Sequence, residues 1–211
     1  INIDKKTLNL FRVLIKVLEP RPVMTISEWA ERYRYLSGDA SAESGKYRID
    51  RAIYQKGMMD AVSDSEAEEV VFMTSAQIGK TEILLNILGY YIDYEPSPIL
   101  FVLPTKELAE PFSKDRIAPM LRDTPVLKDK VKDVKSRNSN NTILHKKFPG
   151  GQLNLVGANS PSSLSSRPVK IVLFDELDRF PFSAGTEGYP FNLAKKRTTT
   201  FSNKKIIAVS T

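Results

Sequence analysis

From residue 70 onwards the chain alternates short apolar runs with stretches of helical periodicity, and that alternation leaves few architectures open. Residues 70–73, 98–103, 169–174 and 206–209 read as strands. The third is apolar at nearly every position, as a strand buried on both faces must be. Between them, residues 81–94 place Ile83, Leu84, Ile87, Leu88 and Tyr91 at helical spacing, and a second helix is predicted over about 106–121. Residues 142–144 and 153–156 flank Pro149-Gly150-Gly151, a hairpin signal. Residues 135–141 are polar and read as a loop. Together these predict an α/β fold, a three-layer core with a mainly parallel sheet over residues 66–211. A chain of 211 residues can bury one such core.

Ahead of the core, residues 1–65 read as a helical segment. Leu8, Leu10, Val13, Leu14, Val17 and Leu18 are spaced for an amphipathic helix, which Pro20 and Pro22 end. A second helix is predicted over 25–35, capped by Thr25 or Ser27, with Trp29, Ala30 and Tyr33 on one face. Residues 37–46 read as a loop and 53–62 as a further helix.

Residue counts exclude several chemistries. The absence of cysteine removes disulfides, thiolate nucleophiles and Cys-ligated zinc. His145 is the lone histidine, so paired-histidine metal sites are excluded and a Ser-His-Asp triad is disfavoured. The longest wholly apolar runs are about a quarter of a membrane span, and the N-terminus carries no signal-peptide core. A soluble, intracellular chain without membrane contact is expected. It starts without Met and stops just after a strand-like run, so it reads as a piece of something longer. Thirty-one Lys and Arg against 25 Asp and Glu give a net charge of +6, which favours a polyanionic partner.

Two motifs carry chemistry. The run Thr74-Ser75-Ala76-Gln77-Ile78-Gly79-Lys80-Thr81 lies between a strand and a helix, where a phosphate-binding loop belongs. Gly79 permits close backbone approach, Lys80 reaches β- and γ-phosphates, and Thr81 offers a hydroxyl to Mg²⁺. The first glycine of the usual pattern is replaced by Thr74. The second motif is Asp175-Glu176 at the end of the buried strand, followed by Asp178. Asp175 is placed for a second Mg²⁺ contact and Glu176 to polarise an attacking water. Asp178 reads as structural. The two motifs together predict ATP hydrolysis with Mg²⁺.

With these residues in order, the sequence resembles the ATPase (motor) domain of the terminase large subunit of tailed phages, in the lambda-like branch. The resemblance rests on Trp29-Ala30, Tyr54-Gln55, Met59-Asp60-Ala61, the phosphate loop without its first glycine, Pro104-Thr105, residues 160–167 and Asp175-Glu176. It implies a P-loop NTPase core of the RecA/ASCE-like type. It also implies that Gln55 reads the adenine edge, with Tyr54 or Trp29 as a stacking face; without the resemblance Trp29 reads as a core anchor and Gln55 as a helix-surface residue. Residues 103–106 are implied as a DNA contact, Arg167 as an arginine finger for a neighbouring subunit, and Ser210 and Thr211 as a motif coupling hydrolysis to movement. Many terminases carry an arginine inside the phosphate loop; Ala76 and Gln77 stand there instead, which moves weight to Arg167.

The expected function is therefore translocation of double-stranded DNA into a procapsid by a ring of subunits in the cytoplasm of an infected bacterial cell. Portal protein and small terminase subunit are the implied partners. A nuclease domain would lie beyond Thr211. The alternatives are a helicase-like DNA translocase and a DNA-binding module whose degenerate loop no longer hydrolyses ATP. Retention of both Lys80 and Glu176 weighs against the second.

Overall fold

The computed structural model describes residues 4–18, 22–41, 43–132 and 141–211. Pro20 and the 135–140 part of the predicted polar loop lie outside them. In chain order the helices are α1 (Lys5–Leu18), α2 (Ile26–Tyr33), α3 (Tyr54–Ser63), α4 (Lys80–Asp93), α5 (Lys106–Phe112), α6 (Ala118–Asp123), α7 (Pro161–Leu164) and α8 (Pro190–Lys195). The strands are β1 (Tyr35–Leu36), β2 (Gly45–Lys46), β3 (Glu69–Met73), β4 (Pro98–Leu103), β5 (His145–Phe148), β6 (Gly151–Gly157), β7 (Ile171–Phe174) and β8 (Lys205–Ser210).

Six strands form one sheet in the order β3-β8-β7-β4-β6-β5, parallel throughout except for the edge strand β5. The last strand in sequence, β8, is thus inserted between β3 and β7, which carry the two sequence motifs at their carboxyl ends. The register pairs Met73 with Ser210 and Phe174 with Ala208, so the ends of β3, β8 and β7 finish side by side.

Alternation along the strands divides the core into two layers of contact. Phe101, Leu103, Leu173, Ile207 and Val209 pack with Ile83, Leu84, Ile87 and Leu88 of α4. Val102, Val172, Phe174 and Ala208 face the other way, against Leu164 of α7 and Leu193 and Ala194 of α8. This is the three-layer α/β core that the strand–helix alternation predicts.

Helix α2 starts at a complete capping box: Thr25 Oγ1 accepts from Glu28 N, and Glu28 Oε2 accepts from Thr25 N at 2.8 Å. Its inner face drives Trp29 against α4, where the indole is fully buried and Nε1 donates to Asp93 Oδ2 at 2.7 Å. Trp29 therefore has no ring face open to a base, and its expected stacking role is corrected to that of a core anchor. The reason is steric: the indole sits where a side chain on Gly89 would be, and a Cβ there would collide with its ring. Gly89→Ala is expected to destabilise the fold by about 1–3 kcal/mol through overpacking. A lowered urea midpoint at unchanged slope checks this, and an unmoved midpoint contradicts it.

Three other expectations change. The predicted helix over 106–121 is divided by Pro111 and a π-helical turn at Ser113–Ile117 before α6 resumes. The 37–46 loop is closed by the short antiparallel pair β1–β2. The hairpin strand predicted at 142–144 begins instead at His145. Helix α1 forms as predicted, yet Leu8, Leu10, Phe11, Val13 and Leu14 are exposed. Among the described residues no helix is long and apolar enough to cross a membrane.

Candidate functional site

The loop from Thr74 to Gly79 leaves β3 and turns into α4. Thr74 N donates to Ser210 O at 3.2 Å, tying the loop's first residue to the neighbouring strand. Two residues then take left-handed backbone, Gln77 at φ 59° and Gly79 at φ 80°. Gly79 suits that conformation; Gln77 holds it at a cost of order 1–3 kcal/mol. Ser75, Ala76 and Gln77 are exposed, Ile78 is half-buried, and Lys80 and Thr81 open the fourteen-residue helix α4. A helix start with free N–H groups and a following lysine attracts phosphate.

Glu176 is the other non-glycine with positive φ among the described residues, at 53°. That both such residues lie in the two motifs marks where the fold stores backbone strain. Asp175 is buried, and burial followed by the neighbouring Glu176 pushes its carboxyl up to about 6. Lys80 pulls it the other way. A cation beside Asp175 would favour the charged form further. Thr81, Asp175 and Glu176 line one cavity of about 280 Å³ together with Pro104 and Phe112. The Thr81 hydroxyl and the acidic pair are thus brought together.

Ser210 and Thr211 complete the cluster from β8. Lys80 Nζ donates to Ser210 O at 3.4 Å and to Thr211 Oγ1. Asp178 accepts on Oδ1 from Ser210 Oγ at 3.0 Å and from Thr211 N at 3.3 Å. Asp178 joins the turn after the acidic strand to the residues that hold Lys80. From sequence Asp178 has only a structural place, because nothing in the linear order shows that β8 ends beside it. Arg179 was missed altogether; its Nη1 lies 3.3 Å from Glu176 Oε2.

The N-terminal segment braces the loop from outside. Gln55 Nε2 donates to Ile78 O at 3.1 Å, Tyr54 OH donates to the same carbonyl at 2.9 Å, and Tyr47 OH donates to Gln55 Oε1 at 2.7 Å. Burial pushes the Tyr47 phenol up to about 12, so it stays a donor. Gln55 is buried and half of its amide capacity is used; one N–H and one lone pair remain. Tyr54 keeps an exposed ring. Arg34, also missed, is a buried guanidinium whose Nη2 donates to Glu82 Oε2 at 3.2 Å in the first turn of α4. Burial lowers its pKa and Glu82 opposes that.

Arg167 does not join this cluster within the chain. It is exposed on the connection from α7 to β7, beside His145, Asn154 and Leu164. That connection reaches the start of the sheet, where Lys170 N donates to Pro98 O, at the opposite end of β7 from Asp175.

The family model described as phage terminase large subunit gpA, ATPase domain, matches residues 41–211. The chain is 28% identical over 185 residues to the terminase large subunit of Enterobacteria phage P21, covering 87% of this chain and 28% of that protein. It is 27% identical over 202 residues to the terminase large subunit of Escherichia phage lambda, covering 93% of this chain and 31% of that one. The chain thus spans under a third of the length of these curated relatives. The crystal structure of the HK97 bacteriophage large terminase matches with a TM-score of 0.68 at 16% identity, over 89% of this chain and 38% of that one. The Thermus phage P74-26 large terminase ATPase domain matches with a TM-score of 0.51 at 16% identity, over 74% of this chain and 63% of that one. These two likenesses show the fold.

Proposed function

The chain belongs to the phage terminase large subunit gpA ATPase-domain family, and from that membership we propose that it binds and hydrolyses Mg·ATP to move double-stranded DNA into a procapsid. One observation carries the reading: Lys80 with Thr81, Asp175 with Glu176, and Ser210 with Thr211 meet at the carboxyl ends of adjacent parallel strands. Ligands in open α/β sheets bind at that end.

The phosphate loop and the α4 N-terminus cradle the phosphates, and Lys80 exchanges its Ser210 and Thr211 partners for them. Among the described residues no three acidic or histidine side chains gather into a metal cage. The donor set present, one hydroxyl and one buried carboxylate, fits Mg²⁺, which keeps most of its waters and shares phosphate oxygens. Thr81 and Asp175 would hold it, and when bound it supplies charge neutralisation at the transferred phosphoryl group. Glu176 orients water and takes its proton. Gln55 offers its remaining N–H and lone pair to the adenine edge, and the exposed Tyr54 ring offers a stacking face. Residues 1–65 then form the adenine side of the site and 66–211 the hydrolytic core.

In the longer protein, residues 103–106 contact DNA, Arg167 serves a neighbouring subunit of a ring, and portal protein and small terminase subunit are partners. Such a motor works in the cytoplasm of the infected bacterium.

Asp178 supplies a test. Asp178→Ala removes the acceptor that fixes Ser210 and Thr211, so turnover is expected to fall by about tenfold or more, equivalent to about 1.4 kcal/mol. The KM for ATP should change less than kcat, because Asp178 bonds Ser210 and Thr211 and not the phosphate loop itself. Phosphate release from Mg·ATP by both proteins decides it. A wild-type chain with no Mg-dependent release contradicts the function, and equal kcat in the variant removes Asp178 from coupling.

A further inference from the structure

Away from the nucleotide site, the turns after α6 and the edge strand β5 enclose a hollow of about 330 Å³ lined by Lys114, Arg122, Lys128, Lys132 and Lys146. Leu121 and Val131 contribute apolar lining, and no carboxylate among the described residues lines it. Two of the cations are committed. Arg122 pairs with Asp39 at 2.9 Å and Asp123 at 2.6 Å, and the buried Lys146 donates to Ile143 O at 3.1 Å. Lys114, Lys128 and Lys132 are exposed, and none of them takes part in the ion pairs formed among the described residues.

Like charges converging on one concavity repel each other, and an anion placed among them relieves that repulsion. The geometry points to this hollow as a site for the phosphate backbone of duplex DNA. The partner class rests on the proposed function above; the site itself rests on the lysines. Lysine suits the task because it is a flexible point charge, whereas arginine reads planar, bidentate targets. A translocating protein must hold phosphates without reading bases, and phosphate contacts carry no sequence information.

The hollow is also joined to the nucleotide site by a single rod of chain. Helix α5 leaves the end of β4, and the π-helical turn Ser113–Ile117 continues it into α6. Within that turn Lys114 lines the hollow, while Asp115 and Arg116 line the cavity that contains Thr81, Asp175 and Glu176. A π-helical turn is a frequent mark of function, and here it borders both sites.

The test is binding of the 211-residue chain to a short fluorescent duplex across a salt series, comparing wild type with the triple variant K114A/K128A/K132A. Each lost phosphate contact should flatten the log-affinity against log-salt slope by about 0.9, so the triple variant should be shallower by about 2.7. Its Mg·ATP turnover without DNA should match wild type, because none of the three lysines touches the nucleotide site. A control that removes three exposed lysines elsewhere, K6A/K46A/K196A, changes net charge equally and should leave most of the slope. An unchanged slope in the hollow variant, or an equal loss in the control, overturns the assignment. So does displacement of the duplex by polyglutamate as effectively as by unlabelled duplex, which would make the occupant an acidic protein. Failure of wild-type ATP turnover is a separate result that strikes the proposed function and not the hollow.

Discussion

Lys80→Ala abolishes nucleotide binding and turnover together, whereas Glu176→Gln keeps binding and stops hydrolysis. The contrast follows from what each side chain touches. Lys80 is the phosphate loop's own cation, and its ammonium is held at the mouth of the loop by Ser210 O and Thr211 Oγ1. An alanine there leaves helix N–H groups alone against a triphosphate's charge. Glu176 lines the cavity with Thr81 and Asp175 and, as an anion, can act on water without holding phosphate. General-base contributions run to about 10²–10⁴ in rate, and glutamine has the shape of glutamate without its basicity. Titrating a fluorescent nucleotide and following phosphate release in both variants gives the answer. Wild-type turnover in Glu176→Gln would remove it from the catalytic role, and tight binding by Lys80→Ala would remove the loop from phosphate recognition. The Arg179 guanidinium beside Glu176 loses its charged partner in the glutamine variant, so retained nucleotide affinity also shows that this pair is not what holds the loop.

The parts of this site that can be read from sequence are those built from contiguous residues. A strand, a tight loop, Gly-Lys-Thr and a helix declare themselves in order, and so does a buried strand ending in Asp-Glu, because each depends on local spacing. Contacts made across the fold do not. Asp178 meets Ser210 and Thr211 because β8 is inserted between β3 and β7, a topological fact that no window of residues contains. For Trp29 the residue alone reads as a core anchor, as found, and only the resemblance implies a stacking face. An aromatic at helical spacing is compatible with a base-stacking platform or with a core, and only the position of Gly89 on α4 decides for the core. Gln55 lies between these cases. The resemblance carried by Tyr54-Gln55 implies a residue that reads the adenine edge, and its bonds to Ile78 O and Tyr47 OH, which no spacing foretells, show that it props the backbone of the loop. The division of the 106–121 helix at a π-helical turn was hidden because Pro111 is compatible with either a kink or a stop.

For Arg167 the expected effect of substitution differs between isolated chains and the assembled full-length protein. Within one chain Arg167 sits on the connection that enters the start of β7, and Asp175 and Glu176 follow that strand's other end. A residue so placed cannot reach its own transferred phosphoryl group without refolding the strand between them, yet it is exposed and available to a neighbour. Ala76 and Gln77 leave the phosphate loop without an arginine of its own. Arginine fingers are worth about 10³–10⁵ in rate. Arg167→Ala should therefore leave the slow turnover of isolated chains unchanged and abolish the stimulated turnover of the assembly. Mixing Arg167→Ala with Glu176→Gln subunits separates the two placements. If the arginine acts on a neighbour, some adjacent pairs combine an intact Glu176 with a donated Arg167, and activity returns. If it acts on its own chain, no subunit in the mixture holds both groups, and the mixture stays inactive. The opposite ends of β7 favour recovery.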